Sequence, residues 1–99
     1  MFYPLERLIN LYDGYQRAYQ VAGRSLLLVQ DSGRCYLINN HCPHQQVPLS
    51  QATLSQGQLR CPLHGMSFDL LTGKTNDGCS QTLQFLPIVY EGNQLGVSL

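Results

Sequence analysis

The most informative stretch of the chain is residues 40–65, NHCPHQQVPLSQATLSQGQLRCPLHG. It contains two short segments, Cys42-Pro43-His44 and Cys61-Pro62-Leu63-His64, which each hold one cysteine and one histidine. Sixteen residues separate His44 from Cys61, and the close spacing inside each segment lets one loop direct a thiolate and an imidazole at one small centre. A proline stiffens each segment, because proline fixes its own φ and restricts the residue before it.

These four side chains fit two kinds of metal centre. A single tetrahedral zinc ion would use all four of them. A two-iron, two-sulfur cluster with mixed ligation would place both cysteines on one iron and both histidines on the other. The spacing alone leaves both centres open, together with a third case of two structural cysteines beside two incidental histidines. Zinc modules, however, commonly pair like ligands within each segment, whereas each segment here mixes them.

The rest of the chain shows short strands separated by turn residues. The continuous apolar run Leu26-Leu27-Leu28-Val29 indicates a strand that is buried on both of its faces. Residues 40–65 read as a long irregular stretch with a short helical turn near 49–54, and such stretches inside a small domain are usually functional. Helix is scarce, so the predicted fold class is mainly β. Strands are predicted at residues 16–21, 25–30, 34–39, 66–70, 87–91 and 94–98, with turns at Gly23, 31–33, 71–74 and Gly92-Asn93.

Length and composition fit one small folded domain that spans residues 1–99. Hydrophobic residues make up 43% and charged residues 12% of the chain, which excludes a disordered tail. Six basic and six acidic side chains are scattered along the chain and cancel. Nucleic-acid binding is therefore not expected, and a protein partner must be met through a local surface rather than by net charge.

Residues 1–7 lack the pattern of a signal peptide, and no apolar run approaches the length of a membrane span. We therefore expect a cytoplasmic protein, in which four cysteines more often indicate metal or redox chemistry than disulfides. Cys35 and Cys79 lie outside the two segments and are expected to behave as small buried hydrophobes. His41 adjoins Cys42 but is expected to be an exposed loop residue.

Further residues accompany the two segments: Pro48-Leu49-Ser50, Leu59-Arg60, Gly65, Ser67-Phe68-Asp69-Leu70-Leu71-Thr72-Gly73 and Leu86–Gly92. Together with the segments they resemble the cluster-binding region of Rieske iron–sulfur proteins, and the resemblance spans nearly the whole chain. It implies that Cys42, His44, Cys61 and His64 bind the two irons of one [2Fe–2S] cluster. The implied fold is a small antiparallel β-sandwich with a cluster-binding subdomain at about residues 40–70.

The resemblance is to the soluble Rieske ferredoxins of bacterial multicomponent oxygenases, and it implies an electron carrier that is not an enzyme by itself. The carrier would take one electron from a flavin-dependent reductase and pass it to a terminal oxygenase that hydroxylates aromatic rings. Transient docking would occur around His44 and His64, which lie at the surface in the family. The implied protein is a monomer that binds neither nucleic acid nor a membrane. Four apolar neighbours would shield the cluster or form a docking patch: Val47, Pro48, Leu63 and Met66.

Two other functions stay open. One is a small subunit of a larger reductase, such as the nitrite reductase small subunits that share the fold, although many of those lack the ligands. The other is a zinc-stabilised interaction module without a redox role. The chain has no mononuclear-iron triad of a terminal oxygenase and no glycine-rich nucleotide fingerprint, so neither oxygen chemistry nor NADH binding is expected of it.

The resemblance also bears on the reduction potential of the cluster. High-potential family members carry a disulfide between the two ligand loops, and at the corresponding positions this chain has Val47 and Leu63. Those members also donate hydroxyl groups toward the cluster from positions that hold Met66 and Phe68 here. With fewer hydrogen bonds, the reduced and more negative cluster is less stabilised. We therefore expect a reduction potential near the low end of the Rieske range.

Overall fold

Nine β-strands and two 3₁₀ turns make up the described part of the chain, which comprises residues 1–42, 48–61, 67–75 and 82–99 of this computed structural model. The 3₁₀ turns are Leu8–Asn10 and Leu49–Gln51. The strands are β1 (Phe2–Arg7), β2 (Gln16–Val21), β3 (Arg24–Asp31), β4 (Arg34–Asn39), β5 (Thr53–Ser55), β6 (Gln58–Arg60), β7 (Ser67–Asp69), β8 (Val89–Glu91) and β9 (Gln94–Ser98).

The strands form three antiparallel sheets of three strands each within the described residues. The sheet orders are β1-β9-β8, β2-β3-β4 and β5-β6-β7. The prediction of a mainly β, antiparallel fold is confirmed. The predicted bounds of β2, β4 and β9 agree with the structure, and β3, β7 and β8 differ from theirs by one or two residues at an end.

Strand β3 lies in the middle of its sheet and is buried on both faces, as the apolar run predicted. Leu26, Leu27, Leu28 and Val29 all have a relative exposure of 0%. Because successive side chains of a strand point to opposite faces, Leu26 and Leu28 enter one core while Leu27 and Val29 enter the other. The same alternation in β4 sends Ile38 and Leu37 to different sides, so the central sheet separates two cores.

The first of these cores holds two of the candidate ligands, and we call it the cysteine-side core. The second lies on the other face of the central sheet, and we call it the opposite core. Buried members of the cysteine-side core are Leu27, Val29, Ile38, Cys42, Leu49, Ala52, Leu59, Cys61, Phe68, Leu70 and Leu83, and those of the opposite core are Tyr15, Val21, Leu26, Leu28, Leu37, Leu95 and Val97.

The prediction that residues 40–65 are irregular apart from one helical turn was wrong in part. The 3₁₀ turn is present at Leu49–Gln51, but β5 and β6 follow it and pair as a hairpin. The hairpin turns at Gln56 and Gly57, which both have positive φ, at 52° and 75°. Strands of three residues show too little alternation to be recognised, and this turn pair differs from the usual asparagine–glycine signal.

Strand β1 was not predicted from the sequence. Its Pro4 cannot donate to a ladder, and such strands are found at sheet edges, which is where β1 lies beside β9. The pairing shifts register between Pro4 and Glu6. At Gly96 of β9, a β-carbon would overlap the Tyr3 carbonyl oxygen, so the two strands approach closely because this position has no side chain.

Candidate metal centre

Cys42 and Cys61 occupy similar places at the ends of two strands. Cys42 lies three residues beyond Asn39, the last residue of β4, and Cys61 directly follows Arg60, the last residue of β6. Both side chains are buried, with relative exposures of 0% and 1%, and both belong to the cysteine-side core. The fold thus brings two thiols from separate parts of the sequence into one buried region.

The surroundings of the two thiols are apolar. Leu49, Leu59 and Phe68 are fully buried members of the same core. Metal-binding cysteines act as thiolates, and a thiolate charge in such a core is costly unless a metal compensates it. Two buried thiols in an apolar core therefore fit the thiolate half of an iron–sulfur site.

The other half of the predicted ligand set, His44 and His64, lies outside the described residues, as do Val47, Leu63 and Met66. Within the ranges that the structure describes, no group of three or more His, Cys, Asp or Glu side chains is placed to hold a metal. The assignment of the four ligands thus stays a prediction. Cys42 and Cys61 are buried, as this prediction requires.

Asn40, two residues before Cys42, is a buried polar residue with a relative exposure of 5%. Its backbone N–H donates to the Ser25 carbonyl oxygen at 2.9 Å, and its Nδ2 donates to Ser25 Oγ at 3.1 Å. Its Oδ1 accepts a hydrogen bond from the Ser50 N–H at 2.8 Å. One side chain therefore joins the start of β3 to the 3₁₀ turn at Leu49–Gln51.

Gln16 of β2 holds the same 3₁₀ turn from another strand. Its Nε2 lies 3.2 Å from the Leu49 carbonyl oxygen, 3.2 Å from that of Ser50 and 2.7 Å from that of Ala52. The sequence predicts no role for Gln16 or Asn40. Asn40 is ten residues from Ser50 and Gln16 is more than thirty residues from its partners, so no local pattern reveals these bonds.

The Phe68–Gly73 run forms a strand end and a tight turn. Phe68 faces the cysteine-side core, and Asp69 Oδ1 accepts hydrogen bonds from the backbone N–H groups of Leu71 at 2.7 Å and Thr72 at 3.4 Å. The Gly73 N–H donates to the Asp69 carbonyl oxygen at 2.6 Å, and Gly73 has φ of +78°. The aspartate and the glycine of this motif thus shape the chain next to the site.

Cys35 is less buried than predicted, and His41 is exposed as predicted. Cys35 is half-buried against the opposite core, and its Sγ donates to Gln30 Oε1 at 3.4 Å. Burial raises the pKa of its thiol, which keeps it protonated and unreactive. Cys79 lies outside the described residues.

Comparison with known families decides the classification. The family model described as the Rieske [2Fe–2S] domain matches residues 1–87. This chain belongs to the Rieske [2Fe–2S] domain family. The predictions of the family, of the fold and of one [2Fe–2S] cluster as cofactor are therefore confirmed.

Similar proteins include long and short relatives. Apoptosis-inducing factor 3 of Mus musculus is 37% identical over 68 residues, which are 69% of this Rieske chain but only 11% of that protein. The ferredoxin component of the alkene monooxygenase system of Xanthobacter autotrophicus is 31% identical over 87 residues, covering 87% of this chain and 71% of that protein. A solved structure, the ferredoxin of carbazole 1,9a-dioxygenase from Nocardioides aromaticivorans IC177, has a TM-score of 0.83 and 26% identity and covers 98% and 96% of the two chains.

Within the part of the chain that the structure describes, no helix has both the length and the apolar character that a bilayer crossing requires.

Proposed function

We propose that this Rieske chain is the ferredoxin component of an oxygenase system. It would carry one electron at a time from a flavin-dependent reductase to a terminal oxygenase that hydroxylates aromatic rings. Cys42 and Cys61 would bind one iron of the cluster through their thiolates, and His44 and His64 the other iron through their imidazoles. When bound, the cluster supplies a one-electron couple.

The observation that carries this proposal is the burial of Cys42 and Cys61 in a single apolar core. Each is the first candidate ligand of its segment, and both lie inside the family match. Apolar residues around the thiolates exclude water and lower the local dielectric, which is one of the ways a protein sets a cluster potential. The names of the alkene monooxygenase and carbazole dioxygenase ferredoxins support the assignment to an oxygenase system.

The proposed docking surface surrounds the two histidines. His41 and Arg60, which directly precede the two cysteines, are both exposed and would lie at its border. The net charge of the chain is zero, so partner choice would depend on the shape and local charge of this surface. Contacts of this kind are small and transient, as an electron carrier with two partners requires.

Electron paramagnetic resonance of the purified protein, before and after reduction with dithionite, tests the proposal, with iron, sulfide and zinc assayed on the same sample. We expect a silent oxidised state and a reduced signal with the low average g-value of mixed nitrogen and sulfur ligation. Stoichiometric zinc, without iron and without a signal after iron reconstitution, would contradict the proposal and favour the zinc module.

Single cysteine variants test the ligand assignment. Cys42→Ser and Cys61→Ser should each lose the visible absorption of the cluster, because serine does not supply a thiolate. Cys35→Ser is the matched control, since Cys35 faces the opposite core, and it should keep the full spectrum. A fully coloured Cys42→Ser protein would remove Cys42 from the ligand set.

A second candidate function is a cluster-bearing module that serves a larger protein. It is favoured by the 37% identity to a section that makes up 11% of apoptosis-inducing factor 3. Reconstitution with NADH and the reductase and oxygenase components of carbazole 1,9a-dioxygenase separates the two. Product formation that depends on the added Rieske chain supports the ferredoxin. A chain that is reduced by dithionite but supports no turnover favours the module.

A further inference from the structure

We propose that Asn40 and Gln16 are positioning residues that anchor the first ligand segment to the central sheet. The proposal rests on the proposed function, because it concerns how the cluster site is held. Neither side chain is a ligand. Each one bonds to the backbone of the 3₁₀ turn at Leu49–Gln51, which lies beyond Cys42 and His44 in the chain.

Asn40 links the two ends of the stretch that contains the first ligand segment. Its Oδ1 bond to the Ser50 N–H joins two backbone positions ten residues apart, and the stretch between them contains Cys42 and His44. The same amide donates from Nδ2 to Ser25 Oγ, so this link also reaches β3. A carboxamide can accept and donate at the same time, and an alanine at this position could do neither. Fixing both ends of a loop removes much of the freedom that its residues would otherwise have.

Gln16 holds the other side of the 3₁₀ turn. Its Nε2 lies within 3.2 Å of the carbonyl oxygens of Leu49, Ser50 and Ala52, and that of Leu49 also accepts the Ala52 N–H at 2.9 Å. The turn is therefore held by two side-chain amides. Asn40, which directly follows β4, accepts the Ser50 N–H, and Gln16 of β2 bonds to the carbonyl oxygens. Two strands of one sheet thus fix the position of a single short segment.

The anchored turn forms part of the site wall. Leu49, its first residue, is fully buried and packs in the same core as Cys42 and Cys61. A displacement of the turn would move this side chain and open the apolar surroundings of the thiolates. Neither side-chain amide takes part in the backbone hydrogen bonds between strands, so their loss should disturb the site more than the sheets. Their expected effects are on retention of the cluster and on its reduction potential.

The test compares holoprotein variants by two measurements, the rate at which visible absorption is lost in the presence of an iron chelator and the midpoint potential. Asn40→Ala and Gln16→Ala should each lose the cluster about tenfold faster than the wild type, the factor expected for one buried hydrogen-bonding group left unsatisfied. The potential of each variant should shift. Since both amides bond to Ser50, the double variant should show a combined effect different from the product of the two single effects.

Gln30→Ala is the matched control. It removes two side-chain hydrogen bonds, from its Nε2 to Asp13 Oδ1 at 3.1 Å and from Cys35 Sγ to its Oε1 at 3.4 Å, and neither involves the 3₁₀ turn at Leu49–Gln51. It should leave both the rate of cluster loss and the potential at wild-type values. Asn40→Asp is the conservative variant, because it keeps an acceptor for the Ser50 N–H, and it should restore retention above that of Asn40→Ala. Gln16→Glu keeps the size of the side chain but sets a carboxylate without donors against the three carbonyl oxygens, so it should lose the cluster at least as fast as Gln16→Ala.

The outcomes separate this proposal from the function itself. The iron content, sulfide content and resonance signal of the wild type decide whether the chain is a Rieske carrier. The rates of cluster loss and the potentials of the variants, compared with those of the wild type, decide whether Asn40 and Gln16 anchor the turn. Cluster loss and potentials equal to those of Gln30→Ala would overturn the anchor. Equal rates of cluster loss in Asn40→Ala and Asn40→Asp, at matched thermal stability, would also overturn it, because the hydrogen bond to Ser50 would then have no effect. If alanine at position 40 prevents folding, the Gln16→Glu variant decides alone.

Discussion

At the scale of single residues, Gly73 occupies a place where both its backbone and its surroundings exclude a side chain. Its φ is +78°, and a β-carbon there would lie 2.7 Å from Phe85 Cε2. Gly33 has almost the same φ, +77°, but open space around it. The two glycines therefore separate the cost of the backbone angle from the cost of a steric clash.

We expect Gly33→Ala to lower the free energy of unfolding by about 1–2 kcal/mol, the cost of the left-handed conformation. Gly73→Ala should cost a further ~1–3 kcal/mol, because Phe85 must also move. Thermal or urea unfolding of the holoprotein measures both. Equal losses of stability in the two variants would mean that Phe85 adjusts without cost.

Phe68 is the residue at which the predicted low reduction potential is most directly tested. It is fully buried in the cysteine-side core, and the resemblance implies that its position corresponds to a hydroxyl donor of high-potential family members. Phe68→Tyr should raise the midpoint potential by tens of millivolts, since one net hydrogen bond of ~1 kcal/mol to the reduced cluster corresponds to somewhat less than the ~59 mV of a tenfold change. Protein-film voltammetry measures the shift. Phe85→Tyr adds the same hydroxyl at an exposed position, and a similar shift there would refute a local effect.

At the scale of elements, Glu6 connects β1, the 3₁₀ turn at Leu8–Asn10 and the following strand. Its carboxylate accepts hydrogen bonds from Asn10 Nδ2 at 3.0 Å, the Arg7 N–H at 2.8 Å and the Tyr15 hydroxyl at 2.9 Å. Arg17 lies 3.9 Å away. These hydrogen bonds, with that of Asn10 foremost, lower the pKa of Glu6 from its usual value of 4.5.

A carboxyl whose pKa is lower in the folded state stabilises the fold above its unfolded pKa, and this contribution is lost as pH falls through the folded pKa. Glu6→Gln should therefore lower the thermal midpoint at about pH 7, and the difference from wild type should shrink as pH falls below 4.5. Thermal unfolding of both proteins across this range measures it. A difference that is constant with pH would mean that the charge of Glu6 contributes nothing.

Strand length and the bounding turns determined which strands could be predicted from the sequence. Strands β2, β3, β4 and β9 were predictable because each is five to eight residues long and is bounded by glycine-containing turns. Strands β5 and β6 have three residues each, which is too short for a period to appear. Strand β1 contains a proline, a residue that normally argues against a strand, and its partner β9 lies at the other end of the chain.

The residues of the site also differ in whether the sequence could predict their roles. Cys42 and Cys61 could be identified as candidate ligands because cysteine and histidine at short spacing form a local pattern. The roles of Asn40 and Gln16 could not be identified, because amide side chains have many uses and their partners become neighbours only after folding. Gln16 is 33 to 36 residues from the carbonyls it contacts.

At the scale of the whole molecule, β3 lets the two cores be tested separately. Leu27 and Leu28 are adjacent, fully buried and of the same residue type, but they face the cysteine-side core and the opposite core. Replacement of either by alanine should destabilise the protein by about 2–5 kcal/mol, because it removes buried methyl groups and leaves a cavity. Only Leu27→Ala should also change the resonance spectrum and hasten cluster loss. Equal effects on the cluster from both variants would mean that the central sheet does not separate the cores.

The two-sided central sheet also affects how this chain can diverge over evolutionary time. A substitution at Leu26 or Leu28 is compensated among residues of the opposite core, and one at Leu27 or Val29 among residues of the cysteine-side core. Changes at neighbouring positions of one strand are thus selected under separate constraints. Descendants of this sequence can remodel one half for a new partner and leave the inherited packing of the other half intact.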